Sequence, residues 1–150
     1  MKVIFKNPDH KAQCADLLKR MQSHDCYHQA AAYLLALNDT CRAHVKEIFD
    51  FEADVIKPEA LCKPWQTGTS MKTCRLLFNL WNGYDSEGEQ IEDEKHSANY
   101  TPENLFCNSD MLYMLEAVKI RYSIYYTAEL DRRDYAEEIA CSAKDGASDD

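Results

Sequence analysis

Trp65-Gln66-Thr67-Gly68-Thr69-Ser70-Met71-Lys72-Thr73-Cys74-Arg75-Leu76-Leu77-Phe78-Asn79-Leu80-Trp81-Asn82-Gly83 carries the clearest helix signal in the chain. A polar segment broken by Gly68 feeds a run in which Met71, Cys74, Leu77, Phe78 and Trp81 recur at three- and four-residue spacing. That period gives a helix with one apolar face. Thr69 or Ser70 is the expected N-cap, because a hydroxyl there accepts from a backbone N–H that has no partner inside the helix. Gly83 stands just past the last apolar residue, where a left-handed backbone ends a helix and glycine adopts it without a clash.

The same grammar extends outward in both directions. On the N-terminal side, Asn7-Pro8-Asp9 starts a helix with proline in the first turn, and Cys14, Leu17, Leu18 and Met21 mark its buried face. Ser23-His24-Asp25 caps a second helix through Tyr27, Ala31, Leu34 and Leu35. Asn38-Asp39-Thr40 breaks that helix and caps a third, with Cys41, Val45, Ile48 and Phe49 inward. Pro58 and Pro64 then bracket a single turn. On the C-terminal side, Tyr84 to Tyr100 reads as an exposed loop, acidic and mobile over about residues 85–99. Thr101-Pro102-Glu103-Asn104 and Asn108-Ser109-Asp110 restart helices. The second of these, Met111 to Tyr122, is apolar nearly all round and so is expected in the middle of its domain. A weaker amphipathic helix follows from Thr127 to Ala143. Residues 2–6 are a short N-terminal strand or an extended lead-in. The expectation is a mostly α fold, one compact domain of six to seven helices over residues 1–128, with an acidic helix and tail over 129–150.

Composition agrees with a packed domain. A chain of 150 residues can bury about two-thirds of its unfolded surface. Hydrophobic residues make up 45% of it and 16 residues are aromatic, which supplies a core. Four glycines and four prolines are too few for a chain of tight β-turns. No apolar run approaches the ~20 residues of a membrane span, and the start, Met1 to Lys6, meets charge too early for a signal peptide. The expected setting is the cytoplasm. Seven cysteines without a Cys-x-x-Cys pair point to reduced thiols acting as small hydrophobes.

The net charge of −9 is uneven. Asp85 to His96 holds six acids against Lys95, and Glu129 to Asp150 holds eight against three bases. What remains is 13 basic and 12 acidic residues, so a near-neutral body carries two acidic appendages. Direct nucleic-acid binding through a basic surface is disfavoured on that balance.

Several groupings could carry chemistry. In the loop before the central helix, Trp65, Gln66, Thr67, Thr69 and Ser70 stand at a helix start, and Arg75 follows in its second turn. Hydroxyls, backbone N–H groups and the helix dipole there suit an anion, although the segment is not the glycine-rich phosphate loop. The plainer alternative is a capping loop whose Trp65 packs into the core. Asn79, Asn82, Glu116 and Arg121 are polar groups in or beside apolar helices, which implies a ligand pocket or an internal hydrogen-bond network. His24, Cys26, His28, Cys41 and His44 give only one close ligand pair, short of a structural zinc site, so no metal and no cofactor are expected. Cys74, beside Arg75, lies on the apolar face, which argues against a nucleophile.

Two stretches carry a resemblance. Trp65-Gln66-Thr67-Gly68-Thr69-Ser70 with Arg75 to Gly83, and Tyr100-Thr101-Pro102-Glu103-Asn104-Leu105-Phe106 with Tyr113 to Tyr122, resemble a family of small uncharacterised proteins of phages and conjugative elements of Gram-positive bacteria. His10 and Leu34-Leu35-Ala36-Leu37 fit it as well. The resemblance implies a mobile-element setting in a bacterial host cell and no particular reaction. Together, these readings lead to an expected accessory protein acting by binding. It would inhibit or sequester a host protein, such as a defence component, or a phosphorylated small ligand. The alternative is an enzyme on a nucleotide or phosphorylated substrate, using Arg75, Glu116 and Arg121.

Overall fold

The computed structural model describes residues 2–86 and 96–126. Among them are seven α-helices and one two-stranded hairpin, packed as a single domain, so the fold is mostly α. Helix α1 spans Pro8–Arg20, α2 Cys26–Leu35, α3 Asp39–Ala43 and α4 Val45–Ile48. Strands β1, Phe49–Asp50, and β2, Val55–Ile56, pair antiparallel with Phe49 opposite Ile56. A 3-10 turn, Pro58–Cys62, leads to α5, Gly68–Asn82. A second 3-10 turn, His96–Tyr100, precedes α6, Pro102–Phe106, and α7, Met111–Arg121. The expected loop over 85–99 lies mostly outside the described residues. The expected helix from Thr127 and the acidic tail lie outside them altogether.

The centre of the domain is α2, not α7. Its sequence explains why. Ala30, Ala31 and Ala32 let neighbouring backbones come close, and Tyr33, Leu34, Leu35, Ala36 and Leu37 continue the run, all of them buried. Helices α1, α5 and α7 pack round it. Helix α7 buries only one side, through Met114, Glu116, Ala117 and Ile120. Met111, Leu112 and Leu115 remain 48%, 58% and 38% exposed, so apolar content all round does not make this helix central.

The N-terminal residues are an extended lead-in rather than a strand, because side chains take up their backbone groups. The Ile4 N–H donates to Glu116 Oε1 at 3.2 Å, and the Ile4 carbonyl accepts from the Tyr33 hydroxyl at 2.6 Å. The Lys6 N–H donates to His10 Nδ1 at 3.0 Å. No ladder is left to form. The hairpin in residues 49–56, which the sequence reading passed over, turns on Asp50. Its carboxylate accepts from the N–H groups of Glu52 and Ala53 at 3.0 and 2.9 Å.

Helix α5 is the expected central amphipathic helix, with two adjustments. Thr67, rather than Thr69 or Ser70, is the N-cap, in a reciprocal capping box. The Ser70 N–H donates to Thr67 Oγ1 at 3.1 Å and the Thr67 N–H to Ser70 Oγ at 2.8 Å. The buried face comprises Ser70, Thr73, Cys74, Leu76, Leu77, Phe78 and Leu80, while Met71 and Trp81 sit at its edges. Gly83 ends the helix at φ +79°, in the left-handed region.

Candidate functional site

Four segments that begin helices meet at one polar cleft of about 360 Å³. The lead-in and the α1 cap contribute Lys6 and Asn7, and the start of α5 contributes Thr67 and Thr69. The α2–α3 junction contributes Leu37, Asn38, Asp39, Thr40 and Arg42, and the residues before α7 contribute Ser109 and Asp110. Each segment is there for a local reason. Asn7 Oδ1 accepts from the His10 N–H at 2.8 Å, and Asn38 Oδ1 from the Cys41 N–H at 2.9 Å. These are N-caps, like Thr67. Asp110 occupies the cap position of α7 without making a capping bond. Its buried carboxylate takes the Lys6 ammonium at 2.7 Å instead.

The electrostatics of the cleft follow from this inventory. Lys6 faces Asp110, and Arg42 pairs with Asp39 while also donating to the Ala36 carbonyl at 3.3 Å. Two cations and two carboxylates balance. The residual field comes from the helix ends, where a cap satisfies one first-turn N–H and the partial positive charge persists. Thr40, Thr69 and Ser109 line it with hydroxyls, whereas the Thr67 hydroxyl is spent inside the capping box, donating to Ser70 Oγ at 3.1 Å.

The residues singled out from sequence do not form one site. Thr67 and Thr69 line the cleft. Trp65 lies elsewhere, half-buried, stacked on the His44 ring at 4.1 Å and donating to Glu47 Oε2 at 2.7 Å. That donor and His44 hold the Glu47 carboxyl below its ordinary range. Gln66 donates to the Ala60 carbonyl at 3.0 Å, and its Oε1 accepts from the buried Ser70 hydroxyl at 2.6 Å, so both are structural. Arg75 is half-buried on α5 and is not among the cleft residues.

Asn79 and Asn82 lie at the far end of α5, about 18–22 Å along the axis from Thr67 at 1.5 Å per residue. Both secure the C-terminal turn: Asn79 donates to the Tyr84 carbonyl at 3.2 Å, and Asn82 Oδ1 accepts from the Tyr84 N–H at 3.1 Å. Arg121 joins that end, donating to the Leu80 carbonyl at 2.8 Å with its guanidinium 3.6 Å from the centre of the Tyr27 ring. Glu116 is buried and tied to the lead-in. Internal networks account for these polar groups.

Among the described residues no group of three or more His, Cys, Asp or Glu is arranged to hold a metal ion. His28, one of the zinc candidates, lies between two carboxylates instead. Nδ1 is 2.7 Å from Asp25 Oδ1, and Nε2 is 2.8 Å from Asp54 Oδ1. Six described cysteines are free. Cys41 and Cys74 are buried neighbours whose thiols hydrogen-bond, and Gln66 Nε2 also meets Cys74 Sγ at 3.5 Å. The Cys41 donor holds the Cys74 thiol below its ordinary value against the effect of burial. Cys74 is 1% exposed. Cys62 and Cys107 are exposed, and the other four are buried or half-buried.

Sequence reasoning identified Asn7, Asn38 and Asp110 as helix starts without showing that they converge. Lys6 and Arg42 carried no local signal. Among the described residues no helix is long and apolar enough to cross a membrane. No curated protein and no solved structure matches the chain. A family model described as a family of unknown function (DUF6075) matches residues 1–134, and the chain belongs to that family.

Proposed function

We propose that this is a small accessory protein of a phage or conjugative element that acts by binding, and that a phosphorylated small ligand occupies the cleft. The convergence of the Asn7, Asn38 and Thr67 caps with Lys6 and Arg42 on one polar cleft carries this reading. The mobile-element setting rests on the resemblance of the Trp65–Gly83 and Tyr100–Tyr122 stretches. Sequestration suits the cleft better than turnover. Both of its carboxylates, the buried Asp110 and the exposed Asp39, are engaged by cations, whereas a general base must be able to take a proton from the reacting group. The alternative enzyme reading relied on Arg75, Glu116 and Arg121, and Glu116 and Arg121 are committed to the lead-in and to the end of α5.

Thermal melts with inorganic phosphate, mononucleotides and cyclic dinucleotides test the proposal. A ligand at a hundred times its dissociation constant adds about 2.7 kcal/mol of stability. Arg42→Gln should abolish most of that ligand-induced shift, since hydrogen bonds to charged groups contribute about 1.5–3 kcal/mol. Native mass spectrometry of freshly purified protein should find a phosphorylated compound bound. A complete lack of stabilisation at millimolar concentrations would retire the ligand and leave inhibition of a host protein as the reading to pursue.

A further inference from the structure

We propose that His28 is a pH-dependent latch, fastening the tip of the β1–β2 hairpin to α2 while its ring is charged and releasing it when the ring is neutral. The geometry carries this. Both ring nitrogens face carboxylates, Nδ1 at 2.7 Å from Asp25, and Nε2 at 2.8 and 2.9 Å from the two oxygens of Asp54. Only the imidazolium donates from both nitrogens at once; the neutral ring turns a lone pair toward one carboxylate. The His28 side chain is 7% exposed, so water does not readily replace the lost bond.

The surroundings assign the consequence to the hairpin. Asp25 belongs to the start of α2 and also caps it, accepting from the His28 N–H at 3.1 Å, with Ser23 Oγ at 3.2 Å from its other oxygen. It stays in place whatever the ring does. Asp54 closes the turn between the strands at φ +58°, a left-handed conformation that is uncommon outside glycine and that aspartate and asparagine tolerate better than other residues. Of the other elements around the ring, α5 presents the uncharged Trp81 edge at 4.9 Å. From α7, Arg121 is directed to the Leu80 carbonyl and the Tyr27 ring. The tip has other ties as well: the Asp50 carboxylate accepts from the Glu52 and Ala53 N–H groups, the Phe51 ring meets the buried Phe49 ring with centroids 5.2 Å apart, and exposed contacts come from the end of α1. Arg20 lies over the Phe51 ring at 4.3 Å, and the Gln22 amide donates to the Phe51 and Glu52 carbonyls. Burial disfavours the charged ring, but the hydrogen bonds and charges of Asp25 and Asp54 outweigh it and hold His28 above the ordinary histidine value of 6.5. The latch therefore opens as pH rises past the usual histidine range.

Nuclear magnetic resonance on the full chain between pH 5.5 and 9 tests this, following the His28 ring together with the amides of Glu52, Ala53, Asp54 and Val55. The tip amides should shift and gain fast motion with the same midpoint as the ring, above 6.5. Asp54→Asn keeps a side chain that tolerates the left-handed backbone and removes the charge. In that variant the His28 midpoint should fall and tip motion should no longer depend on pH. Tip amides that stay rigid while His28 loses its proton would overturn the latch, as would a ring that is neutral by pH 6.5. The wild-type titration decides the matter even if the variant fails to fold.

Discussion

His10 accepts the Lys6 N–H on Nδ1 at 3.0 Å, and its Nε2 lies 2.9 Å from the Tyr33 carbonyl, so Nε2 carries the proton and the ring is neutral. Burial lowers its pKa below the ordinary 6.5, with Arg42 and Lys6 adding to that and the Tyr33 carbonyl opposing it. His28 has the opposite requirement. A histidine depressed on folding supports the fold above the unfolded value, and that support is lost as pH falls through the folded pKa. A histidine raised on folding supports it below the unfolded value, and that support is lost as pH rises through the folded pKa. Within pH 5–8 these two groups place a stability maximum near 6.5. Urea midpoints measured across that window should fall on both sides. A midpoint that climbs steadily from pH 6.5 to 8 would contradict the assignment of His28.

At the scale of the element, helix starts were the most legible feature of the sequence. Asn7, Asp25 and Asn38 cap the helices their side chains announce, because a cap is a contact within three residues and needs nothing from the rest of the fold. Thr67 caps α5 by the same logic. Thr67→Ala should cost about 1 kcal/mol, read as a lower denaturant midpoint with an unchanged slope. A neutral result would mean that Ser70 and the first-turn backbone find replacement partners. Burial was less legible than capping. The pattern around Met111 says apolar, but only the packing of α1, α5 and α7 on the alanines of α2 decides which helix is enclosed. The hairpin was hidden for a related reason. Each strand is two residues long, too short for an alternating pattern, and its turn is set by Asp50 and Asp54.

Across the whole molecule, the cleft could not be read from the chain because its parts are local and their meeting is not. Lys6 and Asp110 stand 104 positions apart. The lead-in shares that character. Its backbone bonds end on His10 of α1, Tyr33 of α2 and Glu116 of α7, the last across 112 positions. A segment with no hydrogen-bonded partner strand has nothing to settle on until those three helices have come together. Its docking is therefore expected after the rate-limiting step of folding. Phe5, half-buried against the core, gives the test. Phe5→Leu, at a cost of about 1 kcal/mol, should raise the unfolding rate about fivefold and leave the folding rate unchanged. A folding arm that slows in stopped-flow measurements would assign the lead-in to the nucleus instead. On this account residues 2–6 have little part in how fast the protein folds and a larger one in how long each folded molecule lasts.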